Sequence, residues 1–197
     1  DEVGMAFLFA PAFHPSMRFV APVRKELGIR TIFNYLGPLC SPGRVKRQLL
    51  GVGVAEKLED YARVLEGLGT ECALVVHGAG GADELTLAGT NQVIAVGSAP
   101  KTSFNASDLG LPESPVEALG GGDAEVNLGI LKDLLSGKEG PIRDAVLQNT
   151  AAALVLGEVA EDGLQGVALA RTALDSGKAQ ATLEALVSVS QRVGGQA

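Results

Sequence analysis

An alternation of strand-length apolar runs with an amphipathic helical segment limits most tightly how this chain of 197 residues can fold. RQLLGVG (47–53) and ECALVVHG (71–78) have the character of strands, and EKLEDYARVLEGLG (56–69) between them has helical periodicity. This order is typical of an α/β fold with a mostly parallel sheet flanked by helices. DELTLAG (83–89) and NQVIAVG (91–97) are further strand candidates and could form a hairpin. Four later segments have helical patterning: 123–136, 141–158, 163–177 and 178–193.

The amino-terminal part follows a different pattern. GMAFLFA (4–10) is a continuous apolar run of strand length, which predicts a strand buried on both faces. His14 and Pro15 then open a predicted helix that Gly28 closes, with Pro at the first helical position, where its missing N–H costs nothing. A shorter helical stretch, TIFNYL (31–36), ends at a Gly-Pro pair. We therefore expect a two-helix segment between the first predicted strand and the rest of the sheet.

One arginine of the first predicted helix lies on its apolar stripe. The stripe consists of Met17, Val20, Ala21 and Leu27. Arg24 falls among these residues, three or four positions after Val20 and Ala21. A guanidinium among apolar neighbours needs an anion, because an unpaired buried charge is costly. The anion could be an acidic side chain elsewhere, which is the commoner case, or the carboxylate of a small ligand.

Charge and aromatic residues are distributed unevenly along the chain. Residues 1–50 carry seven basic and three acidic side chains, so this segment has a charge of +4 although the whole chain has −7. The first 35 residues hold six of the eight aromatic side chains. A basic, aromatic segment suits an aromatic or anionic small ligand, or an interface with a part of the protein outside this chain. The acidic whole and the small number of basic residues argue against nucleic acid as a partner.

The remaining bulk features indicate a cytosolic setting. Cys40 and Cys72 fit no metal-binding spacing and are typical of reduced, packed cysteines. The sequence has no signal peptide and no apolar run of membrane-spanning length, so we expect no membrane partner. The chain begins at Asp1 without a methionine and enters an apolar run by Met5, so we expect a piece of a longer protein.

The adjacent acids Asp83 and Glu84 follow a strong strand and a glycine turn, GAGG (78–81). In open α/β sheets, ligands bind beyond the carboxyl ends of the strands. Two carboxylates there form a hard-oxygen site that suits Mg²⁺, which commonly shares one or two carboxylates with phosphate oxygens and waters. From spacing alone, an exposed pair of loop acids is the commoner interpretation. Both acids can serve one site only if the turn brings them to the same side, since neighbours on a regular strand point to opposite faces.

Other polar positions predict structural roles. Asp123 follows three glycines and is expected to cap a helix. Asn149 lies in an otherwise apolar helix and is expected to bond a neighbouring loop or backbone. His77 ends a strand and is expected to be structural, and two histidines so far apart exclude zinc. The sequence has no nucleophile elbow, triad or Walker A loop, which favours a chemistry such as metal-assisted displacement of a good leaving group.

The segment 7–52, FLFAPAFHPSMRFVAPVRKELGIRTIFNYLGPLCSPGRVKRQLLGV, closely resembles the anthranilate phosphoribosyltransferases. The resemblance continues in order and spacing through ALVVHGAGGADEL (73–85), GGGDAEVN (120–127) and GPIRDAVLQNTAAAL (140–154). It implies an α/β catalytic domain of the nucleoside phosphorylase and phosphoribosyltransferase type. It also implies a glycosyltransferase of tryptophan biosynthesis that moves the phosphoribosyl group of phosphoribosyl pyrophosphate to the amine of anthranilate, with Mg²⁺.

The resemblance implies a role for several residues. The anthranilate-binding arginine of the family falls at Arg24, and positions that line the access path for anthranilate fall at His14, Gly37 and Pro38. The family's metal-binding acid pair falls at Asp83 and Glu84, which are therefore expected to hold Mg²⁺ against the pyrophosphate. No catalytic side chain is implied, because the amine of anthranilate is itself the nucleophile.

The resemblance also implies the organisation of the protein. Residues 1–13 and 46–197 are expected to form the α/β catalytic domain, and 14–45 to belong to a helical domain. The complete protein is expected to be a cytoplasmic homodimer.

Three segments of the family have no counterpart in this sequence: a GTGGD glycine loop, an NxST segment and a KHGN segment. In the family they precede the stretch that begins this chain. We therefore expect the chain to be the carboxyl-terminal part of the enzyme and to lack activity by itself. Two other functions remain open, a pyrimidine-nucleoside phosphorylase of the same fold and a non-catalytic relative that binds a ligand.

Overall fold

A computed structural model of the protein describes residues 2–29 and 31–194, the side chain of Pro11 excepted. The strands in these ranges are β1 (Arg47–Gly51), β2 (Cys72–His77) and β3 (Gln92–Gly97). The helices are α1 (Ala10–Phe13), α2 (Met17–Leu27), α3 (Phe33–Leu36), α4 (Leu58–Gly67), α5 (Ala124–Leu135), α6 (Pro141–Leu156), α7 (Gly163–Asp175) and α8 (Lys178–Gly194).

The chain divides into two compact units. One is Lys46–Ala185, and the other contains the described residues up to Val45 and those from Leu186 onward. The assignment of 1–13 and 46–197 to a catalytic domain, and of 14–45 to a helical domain, stays a prediction.

The larger unit is built on a three-stranded sheet in the order β1-β2-β3. The first two strands are parallel, with Leu49 opposite Leu74, and the third is antiparallel to the second, with Ala95 opposite Leu74. The predicted α/β class, a sheet flanked by helices, is confirmed. The sheet is mixed because the connection from β2 to β3 contains no helix that could return the chain for a parallel pairing.

Helices cover both faces of the sheet, and β2 lies at its centre. Leu74 and Val76 share one core cluster with Leu147 and Ala151 of α6. The alternate residues of β2, such as Val75, are also completely buried and face the layer that contains α4. This two-sided burial explains why β2 reads as an unbroken apolar run.

The strand predicted at 83–89 is wrong. Residues 83–89 form bends and irregular backbone, and β3 pairs with β2 instead of with this segment. The backbone groups of Leu85 and Thr86 bond to the side chains of Asn149 and Asn91, so they do not form a strand ladder. Side-chain amides therefore take the hydrogen bonds that a neighbouring strand would have supplied.

In the smaller unit, the strand predicted at 4–10 is also wrong. No described strand pairs with this segment, and Phe7 and Phe9 are 75% and 57% exposed. The chain instead enters a single helical turn at Ala10. An apolar run becomes a doubly buried strand only where strands and covering layers are available to it.

The predicted helices are confirmed, with small shifts at their ends. The helix predicted to open at His14 begins at Met17, after a hydrogen-bonded turn, and ends at Gly28, which adopts the left-handed conformation with φ 64°. Asp123 caps α5, as predicted, and accepts the N–H groups of Glu125 and Val126. Within the described ranges no helix has the length and apolarity needed to cross a bilayer.

Candidate functional site

The acidic pair lies directly over the carboxyl ends of the two parallel strands. The Asp83 carbonyl packs so closely on Gly51, at the end of β1, that a Cβ there would lie 1.5 Å from the carbonyl oxygen. A Cβ at Gly78, just after β2, would lie 2.1 Å from the carbonyl oxygen of Glu84. Only glycine permits such approaches at these two positions. The strand-end location predicted from the sequence is therefore present.

A tight glycine turn leads the chain from β2 to the acids. Gly78 donates its N–H to the Ala82 carbonyl at 2.9 Å, and Gly81 donates to the Gly78 carbonyl at 3.0 Å. Gly80 and Gly81 have φ values of 85° and 89°, which residues with a side chain rarely adopt. The turn reverses the chain so that the acids return to the sheet edge that β2 has just left.

The two carboxylates are exposed and influence each other. Neither Asp83 nor Glu84 forms an ion pair with any described residue. Partial desolvation by the surrounding protein raises the pKa of Glu84, and the charge of Asp83 raises it further. A cation bound beside Glu84 would favour the ionised form of this carboxyl.

These donors fit a hard divalent cation such as Mg²⁺. Both are carboxylates, they are adjacent, and no described cation neutralises them. The described residues contain no group of three or more His, Cys, Asp or Glu that could enclose a metal. A cation held here would therefore keep waters or share phosphate oxygens, which is the usual behaviour of Mg²⁺.

Amide side chains, two of them buried and one half-buried, fix the loop behind the acids. Asn149 bonds the backbone of Leu85 twice, which confirms the prediction that it binds a neighbouring loop. Asn91 accepts the Thr86 N–H at 2.9 Å and donates to the Thr86 carbonyl at 3.0 Å. Gln148, completely buried, donates to the Thr86 carbonyl at 3.0 Å. The sequence pattern did not predict the roles of Asn91 and Gln148, although Gln148 is a second amide beside Asn149 in the same helix.

A cavity of about 270 Å³ opens beside Glu84. Glu84 and Asn149 both line it, together with apolar side chains that include Ile130, Ile142 and Val146. The acid and the amide that supports its loop therefore share one concave surface of the larger unit.

His77 is structural, as predicted. Its Nδ1 lies 2.6 Å from the Val52 carbonyl oxygen, which joins the end of β2 to the segment after β1.

In the smaller unit, Arg24 lies on the less exposed face of α2. Met17, Val20 and Arg24 are half-buried, which matches the predicted stripe, but Ala21 and Leu27 are exposed. Among the described residues, Arg24 has no ion pair and no side-chain hydrogen bond. Its guanidinium is therefore available for an anion from outside the described chain.

The other residues expected at the anthranilate site belong to the same unit. His14 is half-buried and precedes Met17 on the same face, and its carbonyl accepts the Met17 N–H at 2.9 Å. Gly37 and Pro38 follow α3 in a short 3₁₀ turn, where Gly37 is exposed and Pro38 half-buried. Their roles toward a ligand stay predictions.

Comparison with known proteins identifies the family. Residues 1–180 match the sequence profile described as "Glycosyl transferase family, a/b domain". The chain belongs to this glycosyl transferase family.

Two relatives in which about half of the aligned residues are identical carry the same name. The anthranilate phosphoribosyltransferase of Chloroflexus aurantiacus is 52% identical over 194 residues, which cover 96% of this glycosyl transferase chain and 57% of the relative. That of a Roseiflexus species is 51% identical over 195 residues, which cover 97% of the chain and 57% of the relative. The chain thus spans a little over half the length of these relatives, and its resemblance to anthranilate phosphoribosyltransferases is confirmed.

Solved structures of the Saccharomyces cerevisiae anthranilate phosphoribosyltransferase share the glycosyl transferase fold described above. The complex with 4-fluoroanthranilate superposes with a TM-score of 0.86 at 32% identity, over 93% of this chain and 54% of the yeast chain. The complex with PRPP and Mg gives a TM-score of 0.82 at 32% identity, over 89% of this chain and 51% of the yeast chain.

Proposed function

We propose that the chain forms part of an anthranilate phosphoribosyltransferase, a transferase of tryptophan biosynthesis. In this reaction the anthranilate amine bonds to C1 of the ribose, the bond from C1 to the pyrophosphate oxygen breaks, and the amine releases a proton. The support is the approximately 50% identity to relatives of that name, combined with an acidic pair at the strand ends.

The observation that carries the proposal is the placement of Asp83 and Glu84. Their backbone is pressed onto Gly51 and Gly78 at the carboxyl ends of the parallel strands, where α/β sheets bind ligands. The two carboxylates would hold Mg²⁺, and that ion would neutralise charge on the departing pyrophosphate. The yeast relative has been solved with PRPP and Mg, which supports this assignment.

One of the basic residues of α2 would bind the other substrate. Arg24, half-buried and without a partner among the described residues, would donate hydrogen bonds to the anthranilate carboxylate. His14, Gly37 and Pro38 would line the path by which anthranilate reaches it. A solved complex of the yeast relative with 4-fluoroanthranilate supports an aromatic acid as the ligand of this family.

The proposed reaction requires little acid–base catalysis by the protein. The amine of anthranilate carries its own lone pair, so positioning of the two substrates and stabilisation of charge on the leaving group would supply most of the catalysis. We further propose a cytoplasmic location, which the free thiols of Cys40 and Cys72 support. Cys72 is buried, as predicted, but Cys40 is exposed, so the prediction that it is packed is wrong. A homodimer of the complete protein is also part of the proposal.

A hybrid enzyme tests the proposed activity. The 197 residues would replace the matching segment of the Chloroflexus aurantiacus relative, which supplies the rest of a complete protein. We expect the folded hybrid to form phosphoribosylanthranilate from anthranilate and phosphoribosyl pyrophosphate, and the hybrid with Asp83→Asn and Glu84→Gln to lose that activity. A folded hybrid that forms no product, or one whose rate is unchanged by the two substitutions, would contradict the proposal.

A further inference from the structure

Two hydrogen bonds join the Asn149 side chain to the backbone of a single residue, Leu85. The Leu85 N–H donates to Oδ1 at 3.0 Å, and Nδ2 donates to the Leu85 carbonyl at 2.8 Å. The Leu85 side chain is completely buried. The peptide groups on both sides of Leu85 are therefore fixed. Because Leu85 directly follows Glu84, these bonds also fix the direction in which the chain leaves the acidic pair.

Helix α6 gives this clamp a rigid support. Asn149 lies within the 16-residue helix Pro141–Leu156, and its Nδ2 also donates to the Ala145 carbonyl one turn earlier, at 2.9 Å. The flanking residues Leu147 and Ala151 are completely buried in the core. The amide thus has one orientation, set by its own helix, in which it meets Leu85.

The acidic segment is confined from the opposite side as well. The carbonyl of Asp83 packs on Gly51 and that of Glu84 on Gly78. The segment 83–85 therefore has glycine backbone on one side and the Asn149 amide on the other, and it contains no regular secondary structure of its own.

We propose that Asn149 is a positioning residue that holds Asp83 and Glu84 in the arrangement that binds a divalent cation. The inference rests on the metal role assigned to the two acids in the proposed function. Residues that orient metal ligands typically change metal affinity by roughly 10- to 100-fold when they are removed. A residue with a structural role alone would change the stability of the chain and leave the affinity for the metal unaltered.

The chain contains a matched control for this clamp. Asn127 of α5 makes the same two bonds to one backbone residue: the Gly122 N–H donates to Oδ1 at 2.9 Å, and Nδ2 donates to the Gly122 carbonyl at 2.9 Å. Its target belongs to the loop before α5, and Asn127 lines the same cavity as Glu84 but bonds a different loop. Removing this second clamp tests the effect of losing such a pair of bonds elsewhere.

Titration with Mn²⁺, followed by electron paramagnetic resonance, tests the inference on the full 197-residue chain. We expect Glu84→Gln to abolish binding, Asn149→Ala to weaken it roughly 10-fold or more, and Asn127→Ala to leave it unchanged, with circular dichroism confirming that each variant is folded. Unchanged Mn²⁺ affinity in Asn149→Ala, when Glu84→Gln abolishes binding, would overturn the positioning role. Equal binding by the unmodified chain and Glu84→Gln would instead contradict the metal role of the acids.

Hydrogen exchange tests the clamp without a metal. We expect faster amide exchange over residues 83–86 in Asn149→Ala and no change there in Asn127→Ala. If Asn149→Ala does not fold, Asn149→Asp keeps the acceptor for the Leu85 N–H but lacks the donor to its carbonyl, and we expect the same increase. Unchanged exchange over 83–86 in a folded Asn149 variant would overturn the clamp itself.

Discussion

Two glycines determine where the acidic pair lies. Gly51 ends β1, and Gly78 follows β2. The carbonyls of Asp83 and Glu84 occupy the space that a side chain at position 51 or 78 would need. The acids reach the strand ends because the strands below them present bare backbone at these points. The absence of a side chain at position 51 is therefore a requirement of the observed loop position.

Alanine at position 51 should displace the acidic loop. The added Cβ would lie 1.5 Å from the Asp83 carbonyl oxygen, a backbone atom that cannot rotate away. We expect Gly51→Ala to lower the free energy of unfolding by about 1–3 kcal/mol or more and to weaken Mn²⁺ binding. Urea unfolding and metal titration measure the two effects.

Gly53→Ala is the matched control for this substitution. Its added Cβ would make an ordinary contact, 3.9 Å from the Asp83 Cβ. We expect a much smaller effect on both quantities, and equal effects of the two substitutions would show that the close approach at Gly51 is not what positions the loop.

The half-buried Arg24 supports a second prediction at this scale. We expect Arg24→Ala in the hybrid enzyme to weaken anthranilate binding by about 1.5–3 kcal/mol, the usual contribution of a hydrogen bond to a charged group. Phosphoribosyl pyrophosphate binding should change far less, because Arg24 is assigned to the other substrate. Isothermal titration of each substrate measures both.

Arg18→Ala on the same helix serves as the control for Arg24. Arg18 is exposed and stacks 4.7 Å from the centre of the Phe19 ring. The Arg18→Ala substitution should leave the affinity for anthranilate unchanged. An Arg24→Ala variant that binds anthranilate as well as Arg18→Ala does would exclude the assigned contact.

Among the elements, α6 links the core to the site. One side of it packs in the core through Leu147 and Ala151, and its two adjacent amides, Gln148 and Asn149, bond the loop that carries the acids. The sequence predicts this helix and the backbone bond of Asn149 because an amide in an apolar helix needs partners. It could not predict which loop supplies them, since the contact joins residues 64 positions apart.

The incorrect strand predictions have a physical cause at the same scale. DELTLAG (83–89) alternates apolar and polar residues as a half-buried strand does. Leu85 and Leu87 are indeed completely buried, but amide side chains satisfy the backbone of this segment. Thr86 between them is completely buried as well, so the alternation of side-chain polarity reports neither the pattern of burial nor the presence of a strand here.

Asp144, in the first turn of α6, makes the stability of the folded chain depend on pH. Burial raises its pKa, and the charges of Arg171 and Arg143 only partly oppose this. The folded chain therefore binds a proton more tightly than the unfolded chain, so Asp144 should reduce stability as pH rises from about 4, the ordinary carboxyl pKa, through the raised value.

Asp144→Asn should remove that contribution. We expect the difference in the free energy of unfolding, Asn variant minus unmodified chain, to increase as the pH rises from about 4 to about 7. Urea unfolding across this range measures it. A difference between the two proteins that is constant with pH would contradict the raised pKa.

At the scale of the whole molecule, charge and function are divided along the chain. The first 50 residues carry +4 within a chain of −7, and they contain Arg24, the residue assigned to an anionic aromatic substrate. The acids proposed to bind the metal belong to the other, acidic portion. The relatives are nearly twice as long as the matched segment, so the proposed reaction also needs residues outside these 197.

Much of the candidate site could be predicted at this scale. The order of strands and helices places the acids beyond the strand ends, and the resemblance names the reaction. The hydrogen bonds that hold the loop of the site could not be predicted, because Asn91 and Gln148 bond backbone groups that lie near them only in the folded chain. Such contacts leave no periodic signal in the sequence.

Binding of phosphoribosyl pyrophosphate to the hybrid enzyme, measured by calorimetry with and without Mg²⁺, tests the central claim most directly. We predict that Mg²⁺ strengthens this binding by about tenfold or more, about 1.4 kcal/mol, and that the effect disappears when Asp83→Asn and Glu84→Gln are combined. An undiminished effect of Mg²⁺ in the folded double variant would show that the ion is held elsewhere and would contradict the account.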